Sequence, residues 1–279
     1  MEIFTLWLWP LLALILLPGL LVYFGLHVVE RGIIFVDLAL AQVAALGVCV
    51  AIAWGAHPGH DLLPYALSLL FTLLGAALFS WTRFKHPRVP QESIIGIIYV
   101  VAAAASTIVL SRSAEGDEAL KSLLVGNVLL VTRAEVLRTF GLFAAIAAVH
   151  AWLRSRFMVI TFHEDEARAR RVSLRAWDFL FYATFGLTVT SFVQIAGVYL
   201  VFSYLIVPAV CAALLSSDIR TRLTIGSAVA LIGGVSGLLL SVNVESLDLP
   251  TGPTIVCCFG ALLIATAILV RLRARHATA

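Results

Sequence analysis

The sequence predicts an all-α, polytopic membrane protein, and three observations lead to this fold class. Hydrophobic residues make up 61% of the 279 positions and charged residues only 13%, whereas a soluble domain carries about 25% charged residues. The apolar residues lie in long continuous runs rather than in alternating patterns, which favours helices over a β-barrel. Backbone groups in lipid have to pair within their own segment, so each long run is predicted to be a helix.

Nine apolar segments are long enough to cross a bilayer, which takes about 20 helical residues. Only Gln194 to Gly197 marks a turn between the sixth and seventh segments, so eight spans are the alternative. The predicted spans cover residues 5–24, 33–54, 62–82, 93–110, 137–153, 178–196, 198–215, 223–242 and 252–270. Together they form a single transmembrane domain over residues 1–279.

The first segment is predicted to be a retained span rather than a cleaved signal sequence. A signal sequence begins with basic residues, and no basic residue precedes Arg31. Pro10 and Pro18 are expected to kink this first span, since proline interrupts the hydrogen-bond ladder of a helix.

The distribution of basic residues predicts the orientation of the chain, because lysine and arginine accumulate on the cytoplasmic side. Nine spans with the amino terminus outside and the carboxyl terminus in the cytoplasm place 15 of the 19 basic residues inside. The exceptions are Arg112, Lys121, Arg133 and Arg138. The opposite orientation would place most of the basic residues outside, so it is rejected. The basic residues are thus topology signals, and no nucleic-acid partner is expected.

The largest predicted cytoplasmic segment, 154–177, is rich in charge. Thr161 and Glu164 fit a capping box, which predicts a short amphipathic helix beginning near Phe162. Two interpretations are open at this point: a solvated charged loop, or a helix that docks on a cytoplasmic partner. On the opposite side, the apolar stretch Leu123–Val131 is too short to span and predicts an interfacial or re-entrant helix.

Catalytic signatures are missing from the sequence. It has no HExxH motif, no GxSxG elbow and no GxxxxGK[ST] phosphate loop. No catalytic residue and no bound cofactor are therefore predicted, and ATP chemistry by the phosphate-loop route has to come from another subunit. The four cysteines lie inside apolar runs and are interpreted as packing residues.

Asp37 is the clearest ionisable residue inside a predicted span, and such residues are functional candidates by default. Its carboxylate suits a divalent cation, so Asp37 is the candidate metal ligand. Gln42 follows in the same helix but lies about 140° around it. The structural alternative for Asp37 is an interhelical hydrogen bond or a salt bridge to Arg31. His57, His60 and His150 are interpreted as surface or interface residues.

Several segments resemble the permease subunits of ABC importers for zinc and manganese. The resemblance extends over about residues 20–270 and is strongest in VQIAGVYLVFSYLIVPAVCAALL, residues 193–215. Residues 239–254, with Pro250, Gly252 and Pro253, are similar to the family's acidic loop before Pro-x-Gly-Pro. The segments QESIIGIIYV, LVGNVLLV and VITFHEDEARARR also resemble family segments in the same order. One position departs from the pattern: Gln42 stands where the family's second span has a histidine, and Asp37 is displaced by one residue from the family's aspartate.

The resemblance implies a permease in the bacterial inner membrane that works as a homodimer within the lipid bilayer. Its partners would be a separate ABC ATPase, which binds the ATP, and an extracytoplasmic solute-binding protein. The candidate pathway residues are Asp37, Gln42, Gln194 and Pro208. The segment that would couple to the ATPase consists of Phe162, His163, Glu164, Asp165, Glu166 and Arg168.

Two other function classes remain as alternatives to the importer. A secondary transporter or channel would work without an ATPase, and such proteins often carry chains of buried ionisable groups or inverted repeats. An intramembrane enzyme would need a catalytic constellation, which the sequence lacks. Purification with a nucleotide-binding subunit is expected only for the importer.

Overall fold

The computed structural model describes residues 2–56, 62–82, 89–111, 124–162, 164–169, 173–243 and 249–277. These residues form helices joined by short connections, and none of them lies in a β-strand. The predicted all-α fold class is therefore confirmed.

Eleven α-helices follow one another in the described part of the chain. Long apolar helices alternate with a few short ones, as the runs in the sequence predict. The helices are α1 (Glu2–Leu16), α2 (Pro18–Glu30), α3 (Val36–Ala53), α4 (Leu63–Trp81), α5 (Gln91–Leu110), α6 (Arg133–Trp152), α7 (Arg154–Phe162), α8 (Glu164–Ala169), α9 (Leu174–Leu215), α10 (Ile219–Asn243) and α11 (Thr251–Ala277).

Eight helical stretches among the described residues are long and apolar enough to cross a membrane. The longest is α9, with 42 residues, and a continuous helix of that length would measure about 63 Å, against a hydrocarbon core of about 30 Å. It is interrupted at Gly197, whose φ of 76° and ψ of 162° are not helical. The break falls at the turn that the sequence predicts between residues 194 and 197, so each half of α9 has the length of one span.

The first apolar stretch runs further than predicted. It covers Trp7–Glu30 rather than 5–24, and α2 ends only at Glu30, so most of the predicted loop 25–32 is helical. Pro18 is the first residue of α2, where its missing N–H costs nothing. Pro10 lies inside α1.

Two local predictions are confirmed only in part. In the apolar segment 123–131, Leu124 and Val125 are helical and Val128–Leu130 form a 3₁₀ turn, since Gly126 has a positive φ of 66° that ends a regular helix there. A short helix does follow Phe162, but Thr161 is not its cap, because Thr161 lies in the last turn of α7. The next helix, α8, begins at Glu164.

The chain divides into two compact units. The first unit comprises Met1–Val29, Val125–Phe143 and Ile195–Ala279, and the second comprises Glu30–Leu124 and Ala144–Gln194. The first unit therefore holds α1, α2, α10, α11 and the second half of α9. The second unit holds α3, α4, α5, α7, α8 and the first half of α9.

Helices in the first unit approach closely at glycines. A Cβ atom on Gly237 of α10 would lie 2.5 Å from the Cα atom of Ile255 on α11, and one on Gly233 would meet the Phe259 ring. The backbones of Gly126 and Gly197 touch each other, and no side chain fits between them. Small residues at helix interfaces allow this close approach in membrane proteins.

Candidate functional site

Asp37 lies in the first turn of α3 and is 1% exposed. Its Oδ1 atom is buried and has no hydrogen-bond partner among the described residues. A buried carboxylate oxygen without a donor is costly and rare, so Asp37 remains the candidate functional position in this membrane-spanning helix. Gln42 of the same helix is also buried.

A second carboxylate holds the chain just before α3. The Oε1 atom of Glu92, in the first turn of α5, accepts a hydrogen bond of 2.9 Å from the Phe35 amide. Its Oε2 atom is buried without a hydrogen-bond partner among the described residues. Glu92 lies in the QESIIG segment, but no local pattern in the sequence marks it as a site residue. The structure places it at the start of the helix that carries Asp37.

Arg31 forms a buried ion pair, but its partner is not Asp37. The Nη1 atom of Arg31 donates to Oδ1 of Asp178 at 3.1 Å, and the two side chains are 7% and 0% exposed. The alternative in which Arg31 pairs with Asp37 is therefore wrong. Asp178 was missed because it lies at the edge of a predicted span, where an acidic residue reads as the end of a loop.

The other contacts of Arg31 reach α7 and α9. Its Nε atom donates to the hydroxyl of Thr161 at 3.0 Å. Its guanidinium carbon lies 4.1 Å from the centre of the Phe181 ring, which is the geometry of a cation–π contact. One planar group thus contacts a residue of α7 and two residues of α9.

His150 is buried rather than exposed, so the surface interpretation is wrong for this residue. Its Nε2 atom lies 2.8 Å from the hydroxyl of Thr184 on α9. Its ring stacks on Phe157 of α7, with centroids 4.2 Å apart. The histidine therefore joins α6, α7 and α9 within the second unit. His57 and His60 lie outside the described residues.

The predicted coupling residues surround the junction of α7 and α8. Phe162 is the last residue of α7, and Glu164, Asp165, Glu166 and Arg168 belong to α8. Asp165 and Glu166 are exposed, whereas Ala167 is buried. The short helix therefore packs one side inward and presents acidic side chains outward. His163 lies outside the described residues.

The four predicted pathway residues are divided between the two units. Asp37, Gln42 and Gln194 belong to the second unit, where Gln194 is exposed at the end of the first half of α9. Pro208 is buried in the first unit, within the second half of α9. Within the described ranges, no group of three or more histidine, cysteine or acidic side chains is placed to hold a metal ion.

Long apolar helices, one of them interrupted at Gly197, define a multi-pass membrane protein. The chain belongs to the ABC 3 transport family, whose model matches residues 4–270. The resemblance stated from the sequence is confirmed at the level of the family.

Curated relatives match most of the chain. It is 25% identical to a "Probable metal transport system membrane protein" of Chlamydia muridarum, over 91% of this chain and 88% of the relative. It is 24% identical to the "Manganese transport system membrane protein MntC" of Halalkalibacterium halodurans, over 83% and 76%. A "Probable iron transport system membrane protein" of Haemophilus influenzae is 22% identical over 89% and 88%.

Two solved structures share the fold. The first is "PsaBC from Streptococcus pneumoniae in complex with Fab", with a TM-score of 0.76 and 20% identity over 94% of this chain and 90% of that chain. The second is "An inward-facing conformation of a putative metal-chelate type ABC transporter", with a TM-score of 0.73 and 18% identity over 95% and 87%. Both likenesses concern the fold alone.

Proposed function

We propose that this permease carries a divalent transition-metal ion across the inner membrane as part of an ATP-driven importer, with zinc or manganese as the cargo. The observation that carries the proposal is the match of the ABC 3 transport model to residues 4–270, together with relatives named for manganese, iron and metal transport. The chain supplies the pathway, and ATP is bound by a separate subunit.

Asp37 is the proposed point of contact with the cargo. Its buried oxygen has no donor among the described residues, so a passing cation would satisfy a group that the protein leaves unsatisfied. Carboxylate oxygen suits divalent ions, and zinc also accepts nitrogen ligands. Gln42 replaces the family's histidine with an amide, which binds a metal more weakly than imidazole does. Gln194 and Pro208 complete the proposed pathway set.

The α8 helix is the proposed contact with the ATPase. Its exposed Asp165 and Glu166 offer negative charge to a partner, while buried Ala167 anchors the helix to its own chain. Phe162, His163, Glu164 and Arg168 belong to the same proposed coupling segment. The proposed assembly is a homodimer with two ATPase subunits in the cytoplasm and a solute-binding protein outside. The basic residues support an outside amino terminus and a cytoplasmic carboxyl terminus.

The cargo assignment is tested by Asp37→Asn, which keeps the shape of the side chain and removes its charge. Uptake of radioactive manganese or zinc into proteoliposomes that hold the complete complex is expected to fall strongly, while the amount of folded protein stays unchanged. Asp218→Asn, an equal change at an exposed position, is the matched control. Full uptake by the Asp37 variant would show that the carboxylate is not needed for transport and that Asp37 has only a structural role.

The coupling assignment is tested by replacing Glu164 and Glu166 together with lysine. ATP hydrolysis linked to transport is expected to disappear while the protein still inserts into the membrane. The double replacement by aspartate keeps both charges and is the control. Persistent coupling in the lysine variant would exclude α8 as the docking helix, and a wild-type chain that purifies without any ATPase would favour a secondary transporter or channel.

A further inference from the structure

One side chain, Arg31, forms both a described hydrogen bond to α7 and the ion pair with α9. Arg31 follows α2 and precedes α3, and its guanidinium is bonded to Thr161 and Asp178 at the same time. A guanidinium is planar and rigid, so its nitrogens keep a fixed geometry relative to one another. A displacement of Thr161 that moves the guanidinium as one body would therefore also move the nitrogen bonded to Asp178.

Packing around this side chain adds to the same connection. Phe181 of α9 lies beneath the guanidinium at 4.1 Å, and its ring centre is 6.2 Å from that of Phe157 on α7. Trp177 contacts Phe157 edge-on, with ring centres 5.6 Å apart. The helix α7 is thus held against α9 both by hydrogen bonds and by rings, and protein interiors of this density transmit strain.

Thr161 is close in sequence to the coupling helix, because α7 ends at Phe162 and α8 begins at Glu164. Only two residues of the chain separate Thr161 from Glu164, the first residue of α8. A movement of α8 is therefore expected to move Thr161 and its hydrogen bond to Arg31. On the other side, Arg31 belongs to the connection that leads into α3, the helix that carries Asp37. The side chain therefore stands between the coupling segment and the helix of the proposed pathway.

We propose that Arg31 is the positioning residue that couples α8 to the membrane-spanning helices, through its hydrogen bond to Thr161 and its ion pair with Asp178. This inference rests on the proposed function, because α8 is the segment assigned there to the ATPase. Arg31 does not contact the cargo in this scheme. It transfers a displacement of α7 to the start of α3 and to the first half of α9.

A buried ion pair also has a structural role, so the test has to separate folding from coupling. Thr161→Val replaces one hydroxyl with a methyl group of similar size and leaves the Arg31–Asp178 pair in place. The double variant Arg31→Met with Asp178→Leu removes both charges, and apolar replacement of a whole buried pair often preserves stability. Thr107→Val is the matched control, because Thr107 is exposed and its hydroxyl donates to Ala103 in its own helix.

The measurement is hydrogen exchange in the complete complex with its ATPase, in nanodiscs, with and without ATP. Peptides covering 164–169 report the coupling helix, and peptides covering 30–36 and 174–182 report the two elements that Arg31 joins. In the wild type and in Thr107→Val, ATP is expected to change exchange in all three regions. In Thr161→Val and in the double variant, the change at 164–169 is expected to persist while the changes at 30–36 and 174–182 are lost.

Two results would overturn the inference in distinguishable ways. Wild-type changes at 30–36 and 174–182 in both Thr161→Val and the double variant would make the Arg31 contacts structural only, with the importer role intact. If ATP changed no exchange at 164–169 in the wild type, α8 would not be the helix that couples to the ATPase. The proposed function would then fail together with the role of Arg31.

Discussion

Close glycine contacts and hydroxyl hydrogen bonds join helices in both units, but among the described residues only the second unit has a buried ion pair. In the second unit, a buried ion pair and hydroxyl hydrogen bonds join the helices: Arg31 pairs with Asp178, and Thr72 of α4 lies 2.9 Å from Thr190 of α9, oxygen to oxygen. In the first unit, glycines of α10 let the helices approach until side chains of α9 and α11 touch backbone. Tyr204 and Phe259, for example, fill the space beside Gly234 and Gly233.

The difference is instructive because lipid offers helices little hydrophobic reason to associate with each other. Close packing at small residues depends on contact over a continuous surface. Polar contacts depend instead on a few directed bonds. Removing one partner of a buried bond lowers the free energy of unfolding strongly, because the other partner stays buried and unpaired. The second unit also contains the proposed coupling segment and Asp37, so the buried ion pair lies in the unit where the proposed function requires movement to be transmitted.

The largest effect is expected when one member of the buried ion pair is removed. Asp178→Ala leaves the Arg31 charge buried without its partner, which should cost about 3–5 kcal/mol of the free energy of unfolding. Thermal unfolding of the purified protein in detergent measures the loss. The double variant Arg31→Met with Asp178→Leu is expected to recover most of it, and a single variant as stable as the wild type would contradict the buried pair.

Overpacking of the glycine interface should have the next largest effect. In Gly237→Ala the new methyl group would lie 2.5 Å from the Cα atom of Ile255, so α10 and α11 have to separate, at about 1–3 kcal/mol. Gly260→Ala is the matched control on α11, because nothing lies within 4 Å of its added Cβ atom. Equal unfolding temperatures for the two variants would refute the close approach.

Loss of one hydroxyl pair in the second unit should have a smaller effect. Thr190→Val removes the hydrogen bond to Thr72, and interhelical hydrogen bonds in membrane proteins contribute about 0.6 kcal/mol on average. A double-mutant cycle with Thr72→Val isolates the pair energy, with Thr107→Val as the exposed control. A coupling energy of zero would mean that packing alone joins α4 to α9.

The smallest effect is expected outside the spanning helices, at the start of α10. Hydrogen bonds from the backbone N–H and the hydroxyl of Thr221 hold the pKa of Asp218 below its ordinary value of 3.8. Because the folded-state pKa is lowered, the stabilisation is present above pH 3.8 and disappears as the pH falls through the folded-state value. Asp218→Ala should therefore lower the unfolding temperature at neutral pH and have no effect in strong acid, while Ser217→Ala should have no effect at either pH. A deficit for Asp218→Ala that persists in strong acid would contradict the role of the carboxylate charge.

Composition and hydropathy were sufficient for the fold class and for most helix positions. The turn at Gln194–Gly197 was predicted from residue type, since a glutamine and a glycine interrupt an otherwise apolar run. The polar segment 154–177 was harder, because a capping pattern does not distinguish a helix start from the last turn of a preceding helix. Thr161 fitted the pattern but lies at the end of α7.

The sequence placed Asp37 correctly as a buried acid and missed the buried pair of Arg31 with Asp178. The two residues of the pair are 147 positions apart, and each falls beside a predicted loop, where charge is ordinary. Local patterns carry no information about which distant charge lies opposite. The same limit applies to His150, whose position near a helix end suggests exposure. Its side chain is buried because Thr184 and Phe157, which lie further along the chain, contact it.

The sequence by itself determined that this chain is a multi-helix membrane protein, because apolar length and the lack of charge depend only on residue order. It also carried the family resemblance, because spaced segments keep their order along the chain. Only the tertiary structure decided which charges are buried, which partner each one has, and where α7 is tied to α9. Those outcomes depend on distances between residues far apart in the chain, and such distances are fixed only when the helices pack.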